Sequence, residues 1–226
     1  SEGLYTTDNT DSVEVRLSGL YTNVLNATGD HALLQVGGGD QVFDSSAATQ
    51  AELDQYVYQN HIYEWAEVHA PHVVSNWPRS QINVNINDSC NAYFDGELNF
   101  FQAGNGCNNT GRISDVSYHE WGHGFHYYNL LSGEYDGAMS EGLSDSVAFL
   151  QTESPYIAPY FGNDGSSIRE VSSDRIYPDD IIGEVHYDGL IFAGAIWDLW
   201  ELMREEYPED QAYDQTANIF VQGLRS

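Results

Sequence analysis

The chain has 226 residues, 41% of them hydrophobic and 13% aromatic, which is enough to bury a core and excludes an intrinsically disordered protein. Its 35 acidic residues face 7 basic ones, and this formal net charge of −28 argues against nucleic-acid binding, because phosphate recognition rests on Lys and Arg. No apolar run approaches the roughly 18 residues that a membrane span needs.

The first half of the chain predicts strands and one long helix. Strands are indicated where apolar residues alternate with polar ones, and the helix where neither Gly nor Pro interrupts a run with an apolar face. Pro71 is expected to end that helix. In order, the predicted elements are a strand at 13–17, a turn at 37–40, a helix at 51–69, a strand at 82–86, and a strand at 91–101 with a bend at Asp95-Gly96.

The second half changes to helices separated by loops rich in Gly, Ser and Asp. Helices are predicted over residues 114–130, 139–151 and 190–206. A sheet-rich half followed by a helical half is an α+β arrangement. We therefore expect two lobes, an N-terminal sheet-rich part at 1–118 and a C-terminal helical part at 119–226.

The strongest chemical signal lies in the first of these helices. His119 and His123 are four residues apart, so both imidazoles lie on one helical face and can bind a single ion. Glu120 lies between them, where a carboxylate can take a proton from water activated by the ion. The pattern predicts a catalytic zinc ion, although a helix with two ordinary histidines would show the same letters.

A catalytic zinc ion needs a third protein ligand. Glu141 and Asp145 are four residues apart in the next predicted helix, so they share a face. Glu141 would supply the ligand, and Asp145 would accept the outer N–H of a ligand histidine, which fixes its tautomer. Taken alone, Glu141 would be a solvent-facing helical residue, and the histidine pair upstream is what favours the ligand role.

Cys90 and Cys107 are the only two cysteines, and they are near enough in sequence to close a short loop. In an exported protein this favours a disulfide, whereas a metal site would need more closely spaced partners. We expect a secreted monomer. The acidic surplus is interpreted as a solvated coat, with bound calcium and adaptation to high salt as alternatives.

The two-histidine segment followed by a Glu-containing helix resembles the gluzincin peptidases, especially the thermolysin and fungalysin families. The further segments that agree, in the same order, lie at 91–96, 140–145, 168–172 and 183–189. The last of these is closest to bacterial fungalysin-like sequences. The resemblance implies a thermolysin-like fold of two lobes with zinc in the cleft between them.

The same resemblance implies roles for several residues. The pair Asn91-Ala92 would bind the backbone of a peptide substrate, and Arg169 would hold a substrate carbonyl. Val116 and Ile168 would line the pocket that receives the side chain after the cleaved bond. His186 would stabilise the tetrahedral intermediate.

The sequence departs from the thermolysin pattern at three places. Ser140 stands where thermolysin has an Asn that orients the second zinc histidine. The Tyr that assists the oxyanion has no match in register, which leaves Tyr127 and Tyr135 as candidates. Asp115 occupies the place of a calcium ligand, but the rest of that acidic cluster does not follow, so calcium stays an open question.

We therefore expect a secreted zinc metalloendopeptidase that prefers bulky apolar residues after the cleaved bond. The alternatives are a zinc aminopeptidase, a catalytically silent binding or adhesion module on the same scaffold, and a calcium-dependent acidic surface protein. Because the chain starts at Ser1 without Met, we interpret it as a processed product, and an upstream propeptide is compatible with this. The sequence leaves the natural substrate open.

Overall fold

The computed structural model describes residues 13–36, 43–130 and 136–224. The turn predicted at 37–40 lies outside them. Among the described helices, none is both long and apolar enough to cross a membrane. In chain order the strands and helices are β1 (Val13–Arg16), β2 (Thr22–Asn26), β3 (Leu33–Val36), α1 (Gln50–His69), α2 (Pro71–Asn76), β4 (Ser80–Ile86), β5 (Ala92–Phe94), β6 (Leu98–Phe101), α3 (Ser114–Asn129), α4 (Gly137–Thr152), β7 (Tyr156–Ile157), β8 (Arg169–Glu170), α5 (Val185–Glu206) and α6 (Glu209–Gly223).

A four-stranded sheet in the order β2-β4-β6-β5 forms the sheet-rich half. β4 lies inside the sheet and pairs in parallel with β2 and β6, and the predicted alternation buries Ile82 and Val84 completely. β5 runs antiparallel to β6 and lies at the edge, with Ala92 opposite Phe100. An edge strand leaves one row of backbone N–H and C=O groups without a strand partner.

The long helix α1 confirms the prediction at 51–69 and packs against the sheet. Thr49 and Glu52 form a capping box, in which each side chain accepts a hydrogen bond from the other residue's backbone N–H. The Glu52 carboxylate also accepts from the Ala32 backbone N–H at 2.9 Å, which ties the preceding segment to the helix. As predicted, α1 ends before Pro71. Pro71 then opens α2, because a proline in the first turn gives up an N–H that has no intrahelical partner there.

Helix α4 packs against both α3 and α5 in the helical half. The helices predicted at 114–130 and 139–151 are confirmed as α3 and α4. The third begins at Val185 rather than at 190, because the Glu184 side chain accepts hydrogen bonds from backbone N–H groups of the first turn. Helix α6, which packs on α5, was not expected from the sequence.

A buried aromatic cluster joins the two halves. Tyr63 of α1 packs edge-on against Trp121 of α3, and Trp121 stacks on Phe125. All three are fully buried, and burial of a large apolar side chain stabilises the fold by about 1.5–3 kcal/mol. The cluster fixes α3 beside the sheet and near β5. The division of the chain at 1–118 and 119–226 stays a prediction.

Candidate metal centre

Helices α3 and α4 bring together three side chains whose donor atoms suit a metal ion. His119 and His123 lie on one face of α3, and Glu141 comes from α4. His119 Nε2 lies 3.2 Å from Glu141 Oε2, and His123 Nε2 lies 3.6 Å from Glu141 Oε1. One ligand atom from each residue falls within 4.8 Å of the others. The structure thus joins the three residues that the sequence predicts as metal ligands.

The spacing and the unmet polar groups of this cluster fit a metal ion. Ligand atoms that lie about 2.0–2.1 Å from a tetrahedral ion are about 3.3 Å apart, which matches the 3.2 Å between His119 and Glu141. Within the described residues, the buried Glu141 Oε2 has no hydrogen-bond partner, and its near neighbour is His119 Nε2 at 3.2 Å. Because an unpaired buried carboxylate oxygen is costly, a cation suits this position.

Two glycines allow the helices to approach closely enough for these contacts. Gly122 lies between the two histidines, and a Cβ added there would meet the Ser144 Cα at 2.5 Å. At Gly142, an added Cβ would meet the Gly189 carbonyl oxygen of α5 at 2.2 Å. Helix α4 therefore packs closely against both neighbours, which holds Glu141 opposite the histidines.

Asp145 lies on the Nδ1 side of His119, as the sequence predicts. Its Oδ1 is 2.8 Å from His119 Nδ1, so the imidazole presents Nε2 to Glu141. Arg169 donates to the same carboxylate from Nε at 2.9 Å and from Nη2 at 2.8 Å. Asp145 is fully buried, and the paired guanidinium compensates for the burial of its charge.

Ser140 orients the second histidine. Its Oγ lies 2.8 Å from His123 Nδ1. Ser140 replaces the Asn of the thermolysin pattern, and the structure shows that the serine itself contacts the second histidine. Burial, together with the charge of His119, lowers the pKa of His123 to about 3. The imidazole is therefore neutral, and its Nε2 lone pair is available to an ion.

The carboxylates give the cluster an environment that favours cations. Burial alone would lower the pKa of His119, but the hydrogen bond and charge of Asp145, with the contact to Glu141, raise it to about 10. Burial alone would raise the pKa of Glu141, but the contact with His119 and the nearby imidazoles lower it to about 2. Negatively charged surroundings that stabilise a proton on the His119 imidazole also stabilise a metal ion bound where that proton would be.

Glu120 lies beside the three ligands and is 6% exposed. Burial raises its pKa to about 7, and the negative charge of Glu141 adds to this effect against the opposing charge of His119. Its Oε2 accepts no hydrogen bond from the described residues. A carboxyl group with a pKa near neutrality and an unsatisfied oxygen can take up and release a proton.

A cleft of about 420 Å³ opens beside the cluster. Besides the ligands and Glu120, it is lined by every other residue that the resemblance singles out for the substrate, namely Asn91, Ala92, Val116, Ile168, Arg169 and His186. The structure therefore brings these side chains to one cavity. Arg169 donates to Asp145 from Nε and Nη2, so Nη1 is the guanidinium nitrogen that this pairing does not use.

His186 reaches the cleft from the first turn of α5. Its Nε2 lies 3.6 Å from Glu141 Oε1, and its Nδ1 lies 2.7 Å from Glu184 Oε1. Glu184 thus orients the imidazole and caps the helix at once. Glu184 was not predicted as a site residue, because the helix was expected to begin at 190 rather than at Val185.

Other residues near the site differ from expectation. Ile157, Ala158 and Phe161 line the cleft although no sequence pattern marks them. Tyr127, a candidate for oxyanion assistance, is 62% exposed and does not line the cleft. Tyr135, the other candidate, lies outside the described residues.

Two remaining expectations concern the disulfide and calcium. Cys90 and Cys107 form the predicted disulfide. Asp115, at the start of α3, is 4% exposed, and burial raises its pKa. Calcium binding there stays the open question that the sequence left.

Comparison with known proteins supports the fold. No protein-family model matches the chain, and no curated protein sequence matches it. Among solved structures, the fold is similar to that of the precursor of protealysin, a metalloproteinase from Serratia proteamaculans, with a TM-score of 0.54 over 96% of this chain and 90% of that chain. The two sequences are 13% identical, so the similarity concerns the fold alone. The predicted α+β, thermolysin-like fold is confirmed, while the specific likeness to fungalysins stays a prediction.

Proposed function

We propose that the chain is a secreted zinc metalloendopeptidase whose ion is held by His119, His123 and Glu141. The observation that carries the proposal is the convergence of these side chains beside a cleft, with Glu120 adjacent to them. The structure with the same fold is described as a metalloproteinase precursor, which supports the same class of activity here.

Zinc suits the donor set because two imidazole nitrogens and one carboxylate oxygen are common zinc ligands and leave a fourth position open. When bound, the ion supplies Lewis-acid polarisation of the scissile carbonyl and lowers the pKa of water towards about 7. Asp145 and Ser140 hold the Nδ1 atoms of the two histidines, so that both Nε2 atoms face Glu141. This pre-orientation spares the site a rearrangement on binding.

Glu120 acts as the general base in this proposal. With a pKa raised to about 7, a large share of the group is ionised at neutral pH and takes a proton from the attacking water. The protonated Glu120 then donates that proton to the leaving amine. Its unsatisfied Oε2 is the atom available for both transfers.

The peptide substrate lies extended along the edge strand β5. Asn91 and Ala92 line the cleft at the start of that strand, where backbone groups of a peptide can extend the sheet. Val116 and Ile168 line the same cavity with aliphatic side chains. We therefore expect a preference for a bulky apolar residue after the cleaved bond.

Two further side chains stabilise negative charge on the carbonyl oxygen during attack. His186 has its Nε2 beside Glu141 and its Nδ1 held by Glu184. Arg169 is fixed by Asp145 and keeps Nη1 for the substrate. Donors held in place before the reaction stabilise developing charge best, because they need no reorientation.

The substitution Glu120→Gln tests the role of the base. It keeps the size of the side chain but removes proton transfer, so cleavage of an internally quenched, end-blocked peptide should fall by at least about 100-fold while zinc stays bound. Glu205→Gln, at an exposed glutamate of α5, is the matched control and should keep full activity.

The outcomes separate the alternatives. An aminopeptidase would need a free amino terminus and would leave the end-blocked peptide intact. A silent binding module would bind zinc without cleaving casein or any peptide. Full activity in the Glu120→Gln variant would refute the role of this residue as base.

Export of the chain is part of the same proposal. Disulfides persist in oxidising compartments outside the cytosol, and Cys90–Cys107 is such a bond. The net charge of −28 suits a soluble exported protein. A monomeric state and an upstream propeptide stay predictions.

A further inference from the structure

Two of the segments that line the cleft lie outside the metal-binding helices. One is residues 91–94, which comprise the edge strand β5 and the residue before it. The other, which we call the wall turn, comprises residues 157–162 and begins at the last residue of β7. Ile157, Ala158 and Phe161 of the wall turn reach the cavity. The distance between these two segments therefore affects which substrate side chains the cleft can accept.

The wall turn has a backbone that its own sequence does not favour. Ala158 has a φ of 51° and Tyr160 a φ of 67°, both in the left-handed region that non-glycine residues rarely occupy. Such residues persist where the surrounding structure holds them. Pairing of β7 with β8 holds the start of the turn, at Ile157.

The far end of the wall turn is held by a short segment from the other half of the chain, residues 106–108, which we call the clamp. The Asn108 backbone N–H donates to the Phe161 carbonyl at 2.9 Å, and its Nδ2 donates to the carbonyls of Tyr160 at 2.7 Å and Gly162 at 3.3 Å. The Asn163 N–H donates to the Gly106 carbonyl at 2.9 Å. The three hydrogen bonds from Asn108 thus satisfy the carbonyl groups of Tyr160, Phe161 and Gly162.

The clamp is also bonded to the edge strand. Cys107 of the clamp forms the disulfide with Cys90, the residue just before Asn91. The Asn91 carbonyl in turn accepts a hydrogen bond from Thr110 Oγ1 at 3.0 Å, two residues beyond the clamp. One short segment thus fixes both walls of the cleft.

We propose that the clamp determines specificity by fixing the wall turn relative to the edge strand, with Asn108 as the positioning residue. This inference rests on the proposed peptidase function. Asn108 does not line the cleft, so it acts on substrate only through Ala158 and Phe161. The substrate feature that it controls is the size of the apolar side chain after the cleaved bond, because Ala158 and Phe161 line the same cavity as Val116 and Ile168.

The substitution Asn108→Ala tests the clamp, because it removes the two side-chain hydrogen bonds and keeps the backbone N–H. We expect KM for end-blocked peptides with Leu or Phe after the cleaved bond to rise about five- to twentyfold, as suits the loss of one or two hydrogen bonds. For the matching peptide with Ala after the cleaved bond, KM should change by less than about twofold. The same limit should hold for kcat with all three peptides, because the substitution leaves the metal centre untouched. Gln102→Ala is the control, since that side chain donates to Asn87 rather than to the wall turn.

A second variant and a second readout make the result decisive. The double substitution Cys90→Ser and Cys107→Ser should likewise reduce the preference for Leu over Ala after the cleaved bond, measured as the ratio of the two KM values. Hydrogen exchange should become faster in the wall turn of this variant and of Asn108→Ala. Peptide affinities are also measured by calorimetry in the Glu120→Gln background, with and without Asn108→Ala. An unchanged Leu-to-Ala ratio in both assays would overturn the inference and leave the peptidase proposal standing. If the wild type binds these peptides but cleaves none, the peptidase proposal fails. The ratio of the affinities for the Leu and Ala peptides, with and without Asn108→Ala, then still tests the role of the clamp.

Discussion

The close contact of α3 and α4 at Gly122 gives the sharpest prediction. In Gly122→Ala the new Cβ would lie 2.5 Å from the Ser144 Cα, whereas ordinary contacts begin at 3.4 Å. The neighbouring atom belongs to the backbone, so it cannot rotate away as a side chain could. Helix α4 must therefore move back by about 1 Å.

That displacement is large on the scale of the metal centre. Glu141 lies three residues before Ser144 on α4, so it moves with the helix. Metal–ligand distances tolerate only about 0.2 Å, and we expect zinc affinity to fall by at least 10–100-fold, the range seen when ligand orientation is lost. Overpacking of this kind also lowers the free energy of unfolding by about 1–3 kcal/mol.

Competition with a chromophoric chelator measures the zinc affinity, and thermal unfolding of the zinc-free protein measures the stability. A chain of this size loses about 2–4 °C of Tm per kcal/mol. Gly223→Ala is the control, because a Cβ there meets nothing within 4 Å. Wild-type zinc affinity in Gly122→Ala would refute the argument that this glycine brings Glu141 to the histidines.

Three further predictions concern the neighbours of the site and a partly buried tyrosine. Ser140→Ala removes the partner of His123 Nδ1, so zinc affinity should fall about tenfold in the same chelator assay, and an unchanged value would show that the hydroxyl does not orient the ring. Asp145→Asn leaves the partly buried Arg169 with a neutral partner, and denaturant unfolding of the zinc-free protein should show a loss of about 3–5 kcal/mol. A loss below about 1 kcal/mol would contradict the pairing. Burial raises the pKa of Tyr213 to about 12, so between pH 10 and 12 the unfolded chain binds fewer protons than the folded one, and stability falls as pH rises. Tyr213→Phe should reduce that slope by up to about 1.4 kcal/mol per pH unit in alkaline unfolding titrations, and an identical slope would refute it.

Much of the candidate metal centre could be predicted because its residues lie on regular helices. The spacing of four residues places His119 and His123 on one face whatever the rest of the fold does. The same spacing relates Glu141 to Asp145. The spacing could not predict how closely α3 approaches α4, because that distance depends on the packing of Gly122 against Ser144, a residue distant in sequence.

The parts of the site that the sequence did not reveal are built from irregular backbone and long-range contacts. The wall turn has no periodic pattern, and its shape depends on the clamp, which lies about 50 residues earlier. Glu184 was missed because local signals place the helix start at 190, whereas a side-chain cap extends the helix to Val185. Pro71 was taken as an end signal alone, although the same residue suits the first turn of a new helix.

The most direct test of the account is the zinc content of the purified chain, measured by elemental analysis after dialysis against trace zinc, for the wild type and for His123→Ala. Three converging ligands predict about one zinc ion per wild-type chain, and loss of one ligand predicts a content near zero. A wild-type chain without zinc, or a variant that retains as much zinc as the wild type, would contradict the metal centre on which the proposed peptidase function depends.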